Sequence, residues 1–131
     1  MKGYVGNIGK ETEGNENFRK VLYTAQHSQL VVMALKPSEE IGEEVHDLDQ
    51  FIRIEEGSGV AILDGVEHKV GANYAIVVPE GTRHNIINTS TEPMKLYTVY
   101  SPPEHKDGTI HPTKADAMKD EGDHFDGKAS E

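Results

Sequence analysis

The chain reads as an all-β protein, a sandwich or barrel, with one short helix near the C-terminal end. Three observations point there. The apolar runs are short, Gly and Pro punctuate them at close intervals, and the runs are rich in Val, Ile, Thr and Tyr. Side chains of that kind fit a pleated, half-buried surface, and strands at such spacing build a sandwich or a barrel.

The elements follow in order. The polar, acidic stretch from Glu11 to Asn17 reads as a surface loop. Val21 to Thr24 and Leu30 to Leu35 read as two strands joined by a hairpin around Gln26-His27-Ser28. Phe51 to Ile54 is the third strand, ended by the turn Glu55-Glu56-Gly57-Ser58-Gly59. Val60 to Leu63 and Glu67 to Val70 flank Asp64-Gly65, a strong hairpin signal. Ala75 to Val78 and Met94 to Tyr100 complete the apolar runs. Tyr97 and Tyr100 fall on opposite faces of one strand, so at most one of them faces an interior.

Helix signals are confined to the end. Thr113-Lys114-Ala115-Asp116 resembles a capping box with Asp in the Glu position, and the helix it opens runs through Lys119 and stops by Gly122. Beyond it, Asp123 to Glu131 reads as a loose tail or an arm lying on a partner.

At 131 residues the chain makes one domain, with its core over residues 20–101 and a C-terminal extension over residues 102–131. The net charge of -10 argues against nucleic-acid backbones and anionic membrane surfaces, which would repel it. Without cysteine there are neither disulfides nor thiolate metal sites. No signal-like or membrane-spanning apolar run is present, so the default expectation is a cytoplasmic protein.

The chemistry concentrates in two places. Pro79-Glu80-Gly81-Thr82 makes a tight turn that delivers His84 to the start of a strand, and Asn88 stitches a loop to the backbone. Earlier, Glu44, His46 and Gln50 share one face if the chain there is extended, together with the apolar Ile52 and Ile54. Three polar side chains on a core-facing side are costly unless something binds them. A metal ion resolves that cost, and two imidazoles with an amide oxygen and a carboxylate suit a divalent first-row ion: Zn, Mn, Fe, Ni or Co. Gln50 either ligates or orients His46, and Glu44 either ligates or transfers a proton. His27, His68, His105, His111 and His124 have no partner at ligand spacing and read as surface or tail residues, and Arg83 as solvent-facing.

These two segments carry a family resemblance. The chain resembles a small single-domain cupin of the conserved-barrel type. The family's first motif places a glycine, a His-x-His pair, a glutamate and a second glycine where this chain has Ser38, Glu44 and His46, Gln50, and Gly57. The second motif is matched by Pro79, Gly81, His84 and Asn88, with Asn73 at its first glycine. Ser101-Pro102-Pro103-Glu104-His105 and the acidic tail resemble a mannose-6-phosphate-isomerase-like subset. The resemblance implies a double-stranded β-helix, or jelly-roll, barrel that forms a homodimer, with a metal held inside by Glu44, His46, Gln50 and His84. The expected function is binding or conversion of a small polar metabolite such as a sugar, with isomerase-like proton transfer by Glu44. The alternatives are a non-catalytic small-ligand-binding or sensing cupin, and a metal-dependent dioxygenase.

Overall fold

The computed structural model describes residues 2–131. Nine strands follow a first helix: α1 (Ile8–Gly14), β1 (Arg19–Thr24), β2 (Gln29–Leu35), β3 (Asp49–Glu56), β4 (Ser58–Leu63), β5 (Val66–Gly71), β6 (Ala75–Val78), β7 (His84–Ile87), β8 (Met94–Ser101) and β9 (Ile110–His111), with α2 (Lys114–Lys119) after them. They form a six-stranded sheet in the order β6-β3-β8-β2-β1-β9 and a three-stranded sheet in the order β5-β4-β7, with antiparallel pairing throughout. This is the expected all-β jelly-roll barrel with a short C-terminal helix.

The core is the space between the two sheets. Val31, Met33 and Leu35 of β2, Ile52 and Ile54 of β3, and Met94 and Leu96 of β8 are completely buried, and Ala61 and Ile86 cover them from the small sheet. Strict alternation along β3 sends Gln50, Ile52 and Ile54 inward. Asp64 and Gly65 both adopt positive φ, as the tight hairpin between β4 and β5 demands.

Several local readings change. Residues 11–17 are not simply a loop: α1 starts from an Asn7 cap, and Thr12 is fully buried, its hydroxyl donating to the Ile8 carbonyl at 2.7 Å. A single polar contact face of this kind leaves no apolar period to read. Gly59 is no turn former. It lies within β4, where an added Cβ would stand 2.0 Å from the Ile87 carbonyl oxygen, so the residue permits a close backbone approach to β7. Ser38 and Asn73, the two positions where the resembled motifs carry glycine, both adopt positive φ, 68° and 72°.

Residues 102–131 are packed on the chain itself. β9 pairs with β1, Phe125 donates its N–H to the Glu104 carbonyl at 3.0 Å, and Ser130 donates to the Thr24 carbonyl at 2.8 Å. The α2 capping box forms as read: Asp116 N–H meets the Thr113 hydroxyl, and the Asp116 carboxylate meets Thr113 N–H.

Candidate functional site

Backbone pairing explains how the motif side chains meet. After the Pro79–Thr82 turn, His84 opens β7 opposite Leu63 of β4. Its other edge is bridged to Glu44, with N–H to carbonyl distances of 2.9 Å in both directions. Residues directly opposite in an antiparallel ladder project to one face, so Glu44 and His84 point the same way, and His46 lies two residues along. The Gly81 N–H then closes on the His46 carbonyl at 2.9 Å.

Gln50 arrives from the other sheet. The register aligns Gln29 of β2, Tyr100 of β8 and Gln50 of β3 in one row across three strands, all buried. The chain bends over Asp47 and Leu48 before β3 begins at Asp49, so the run from Glu44 to Gln50 is not one strand. Even so, His46 and Gln50 both end inside.

The two motif imidazoles lie edge to face with ring centroids 5.0 Å apart. His84 Nδ1 donates to the Thr82 carbonyl at 2.9 Å, and the tautomer this bond selects carries its lone pair on Nε2. His46 Nε2 lies 3.0 Å from Glu44 Oε2. Gln50 donates its amide N–H to the Thr98 hydroxyl at 3.0 Å, which itself donates to the Phe51 carbonyl at 2.8 Å. That chain of donors fixes the amide orientation and leaves Gln50 Oε1 facing the interior. Gln50 Oε1 and His46 Nδ1 are buried and have no hydrogen-bond partner among the described residues. Buried polar atoms in this state are costly, and these two lie side by side where a bound atom would relieve them.

Electrostatics tie Glu44 to His46. Burial opposes ionisation of Glu44, but the His46 hydrogen bond and charge outweigh it and lower its pKa. Burial likewise opposes charge on His46, and Glu44, with smaller contributions from Glu104 and from the Gln50 side chain beside it, raises its pKa above the ordinary imidazole value. Burial raises the Tyr100 phenol far above its usual range, keeping it a neutral donor. The Glu44 side chain is 38% exposed and lines a cavity of about 190 Å³ with Phe18, Arg19, Ile41 and the α2 residues Lys114, Ala117 and Met118. The C-terminal helix therefore lies beside Glu44 across this cavity.

The structure thus brings together His46, His84, Gln50 and Glu44. Among the described residues no group of three or more His, Cys, Asp or Glu side chains is arranged as a metal cage, so a cation here depends on the Gln50 amide. Arg83 is exposed, 3.7 Å from Glu43, as expected. Asn88 is buried and donates to the carbonyls of Leu35 and Glu92 at 3.1 and 2.8 Å, stitching the loop as read.

Two histidines differ from the reading as surface residues. His105 and His111 are buried, paired with Asp123 at 2.7 Å and Asp120 at 2.9 Å. Their partners lie 18 and 9 residues further along, spacings with no signature of their own. Tyr100 is the inward one of the two tyrosines, edge-on to both His46 and His105 with centroids 6.0 and 5.1 Å away.

The cupin domain family matches residues 31–100, and the chain belongs to it. Within that class, the chain is 45% identical over 124 residues to the uncharacterized protein YrkC of Bacillus subtilis, covering 89% of this chain and 67% of that protein. It is 46% identical over 112 residues to an uncharacterized protein of Acanthamoeba polyphaga mimivirus, covering 82% and 70%. The crystal structure of BH2720 from Bacillus halodurans is 44% identical and superimposes with a TM-score of 0.88 over 89% of this chain and 94% of that one.

Proposed function

We propose that the barrel interior binds one divalent first-row cation through His46, His84 and Gln50, with Glu44 beside it, and with it a small polar metabolite. The observation that carries this reading is the set of acceptors without donors: the His84 Nε2 lone pair and the buried, unpartnered Gln50 Oε1. A cation or a donor-rich ligand satisfies such a set. The ring separation supports a shared ion. With a ligand bond near ~2.1 Å, two imidazoles on one cation have centroids about 4.5–5.2 Å apart, and His46 and His84 stand at 5.0 Å.

When bound, such an ion polarises a ligand oxygen as a Lewis acid. The chain's own residues do the rest. Thr82 fixes the His84 tautomer, Thr98 aims the Gln50 oxygen, and Glu44, partly exposed and bonded to His46, holds or moves a proton next to the bound molecule. Isomerase-like transfer between adjacent carbons of a sugar suits this arrangement: Glu44 would take the proton from one carbon and return it to the next, while the hydroxyl proton would pass between the two oxygens through solvent. A non-catalytic binding or sensing role is the second reading, favoured by the engagement of Glu44 with His46. The exposed apolar residues Val66, Tyr74 and Val77 on the strands β5 and β6 and the turn between them support a homodimer.

Calorimetric titration of chelator-stripped protein with manganese or zinc tests the cation. One site per chain is expected in the wild type and none in His84→Ala. Heat indistinguishable from dilution in the wild type would remove the basis of the proposal.

A further inference from the structure

An arginine occupies a core-facing position on β1. Burial along the strand puts Arg19 on the same inward side as Val21, and the Arg19 side chain is only 10% exposed. A buried guanidinium is costly unless its donors are used. Arg19 uses few of them. Nη1 donates to His111 Nδ1 at 3.3 Å and stands 3.9 Å from Asp123 Oδ2. Nε is buried and has no partner among the described residues. Nη2 makes no hydrogen bond to the described residues either, yet it is not one of the buried orphans, so solvent reaches it.

One side of the guanidinium is firmly held. Arg19 stands directly opposite His111 in the β1–β9 ladder. Arginine only donates, so His111 Nδ1 accepts, and the ring hydrogen sits on Nε2, where the Asp120 carboxylate takes it at 2.9 Å. Arg19 Cζ also lies 5.3 Å from the centre of the Phe18 ring. These contacts fix the group and leave Nη2 open.

The open side has space beside it. Arg19 lines the cavity of about 190 Å³ that it shares with Glu44 and Lys114, and Phe18, Ile41 and Met118 give the cavity apolar wall. Lys114 forms no ion pair among the described residues. Two cations against one carboxylate leave the lining with a single positive charge, on a chain whose net charge is -10. Asp123 is not part of that lining. Glu44 is bonded to His46 through Oε2 at 3.0 Å, and its Oε1 has no partner among the described residues.

The lining selects the ligand's charge. A dianion such as phosphate would face Glu44 with charge to spare, and a neutral molecule would serve Nη2 and the ammonium no better than water does. A carboxylate carries one negative charge and accepts from a guanidinium and an ammonium at once. At ~30 Å³ of liquid volume per water, the cavity holds the equivalent of about six waters, which suits a molecule the size of lactate.

We propose that this cavity is a carboxylate subsite: Arg19 Nη2 and Lys114 hold the carboxylate of a small hydroxy acid, and Glu44 Oε1 accepts the hydrogen of its hydroxyl. The short hydrocarbon part of the molecule lies against Ile41 and Met118. The proposal names the chemical class of the polar metabolite read above beside Glu44 and rests on that part of the reading, and it does not require the cation.

The test is amide NMR of the full chain, stripped of metal, dialysed free of chelator, and titrated with glycolate, D-lactate, L-lactate, glycerol and inorganic phosphate. At least one hydroxy acid is expected to shift the amides of Phe18, Ile41 and Lys114 saturably, with glycerol inert and phosphate weaker. Lys114→Gln, on a helix with no buried residue, is expected to weaken that acid at least threefold. Arg19→Gln keeps an amide donor for His111 and is expected to weaken it at least tenfold. The wild-type and Lys114→Gln spectra decide even where the Arg19 variant fails to fold. No saturable shift of those amides by any hydroxy acid, phosphate binding more tightly than all of them, or unchanged affinity in Lys114→Gln overturns the proposal. Glycerol that shifts the same amides while every hydroxy acid leaves them unmoved sinks the carboxylate and spares a neutral metabolite beside Glu44. Zinc added last separates the cation: hydroxy-acid shifts in a chain whose His46 and His84 ignore zinc keep this inference and sink the metal site.

Discussion

Replacing Gln50 by Glu changes one atom of the inner row and separates a cation site from an ordinary polar core. The side chain is 4% exposed, and its amide N–H now donates to the Thr98 hydroxyl, which is already committed to the Phe51 carbonyl. A carboxylate there faces another acceptor and leaves a charge buried. Breaking the pairing of a buried charge costs about 3–5 kcal/mol. His46, with its raised pKa, offsets part of this, so about 2–3 kcal/mol is expected. For a chain of this size that is a fall in Tm of roughly 8–12 °C in chelator. Adding manganese or zinc should reverse it, because the carboxylate is a far better ligand than the amide. Tenfold tighter binding adds about 1.4 kcal/mol, or roughly 5 °C, to the metal-induced rise relative to wild type. Differential scanning calorimetry in chelator and in excess metal reads both shifts. A destabilised Gln50→Glu protein that metal does not rescue would refute the reasoning, since the orphaned oxygen would then face no cation.

Four further outcomes follow. Ser38→Gly should raise stability by about 0.5–1 kcal/mol in urea unfolding, because Ser38 holds φ 68° and glycine adopts that region without penalty. The depressed Asp123 pKa of about 2 contributes stability that is complete above the unfolded value near ~3.9 and is lost as pH falls through about 2. That share, on the order of 1–2 kcal/mol, should be missing from the acid-unfolding curve of Asp123→Asn. The raised His46 pKa stabilises the protein fully below the unfolded value near ~6.5 and less as pH climbs through the folded one, and the lowered Glu44 pKa acts oppositely on acidification. Glu44→Gln should therefore lower the His46 pKa in a proton NMR titration, and an unchanged value would show the pair to be uncoupled. Under the proposed homodimer, Tyr74→Glu, at a residue 54% exposed, should shift sedimentation from dimer to monomer, and a wild type that sediments as a monomer would remove that part of the proposal.

Much of the fold is legible in the residues because local chemistry decides it. Asp64-Gly65 specifies its turn by needing positive φ, and the Thr113–Asp116 box marks the start of α2. The motif glycines replaced by Ser38 and Asn73 still mark positive-φ positions. The site is half legible. Parity places His46 and Gln50 inside, although the chain between them bends at Asp47 and Leu48. What escapes is everything made by long-range register. The pairing of His105 with Asp123 depends on Gln29 standing opposite Tyr100 and on the C-terminal segment folding back, and neither leaves a periodic trace. α1 escapes for a similar reason: its buried face is the single residue Thr12.

Anomalous diffraction from a crystal soaked in manganese tests the central claim most directly. One strong peak enclosed by His46, His84 and Gln50 is the predicted result. Manganese bound elsewhere on the molecule, with no peak between those three side chains, would contradict it.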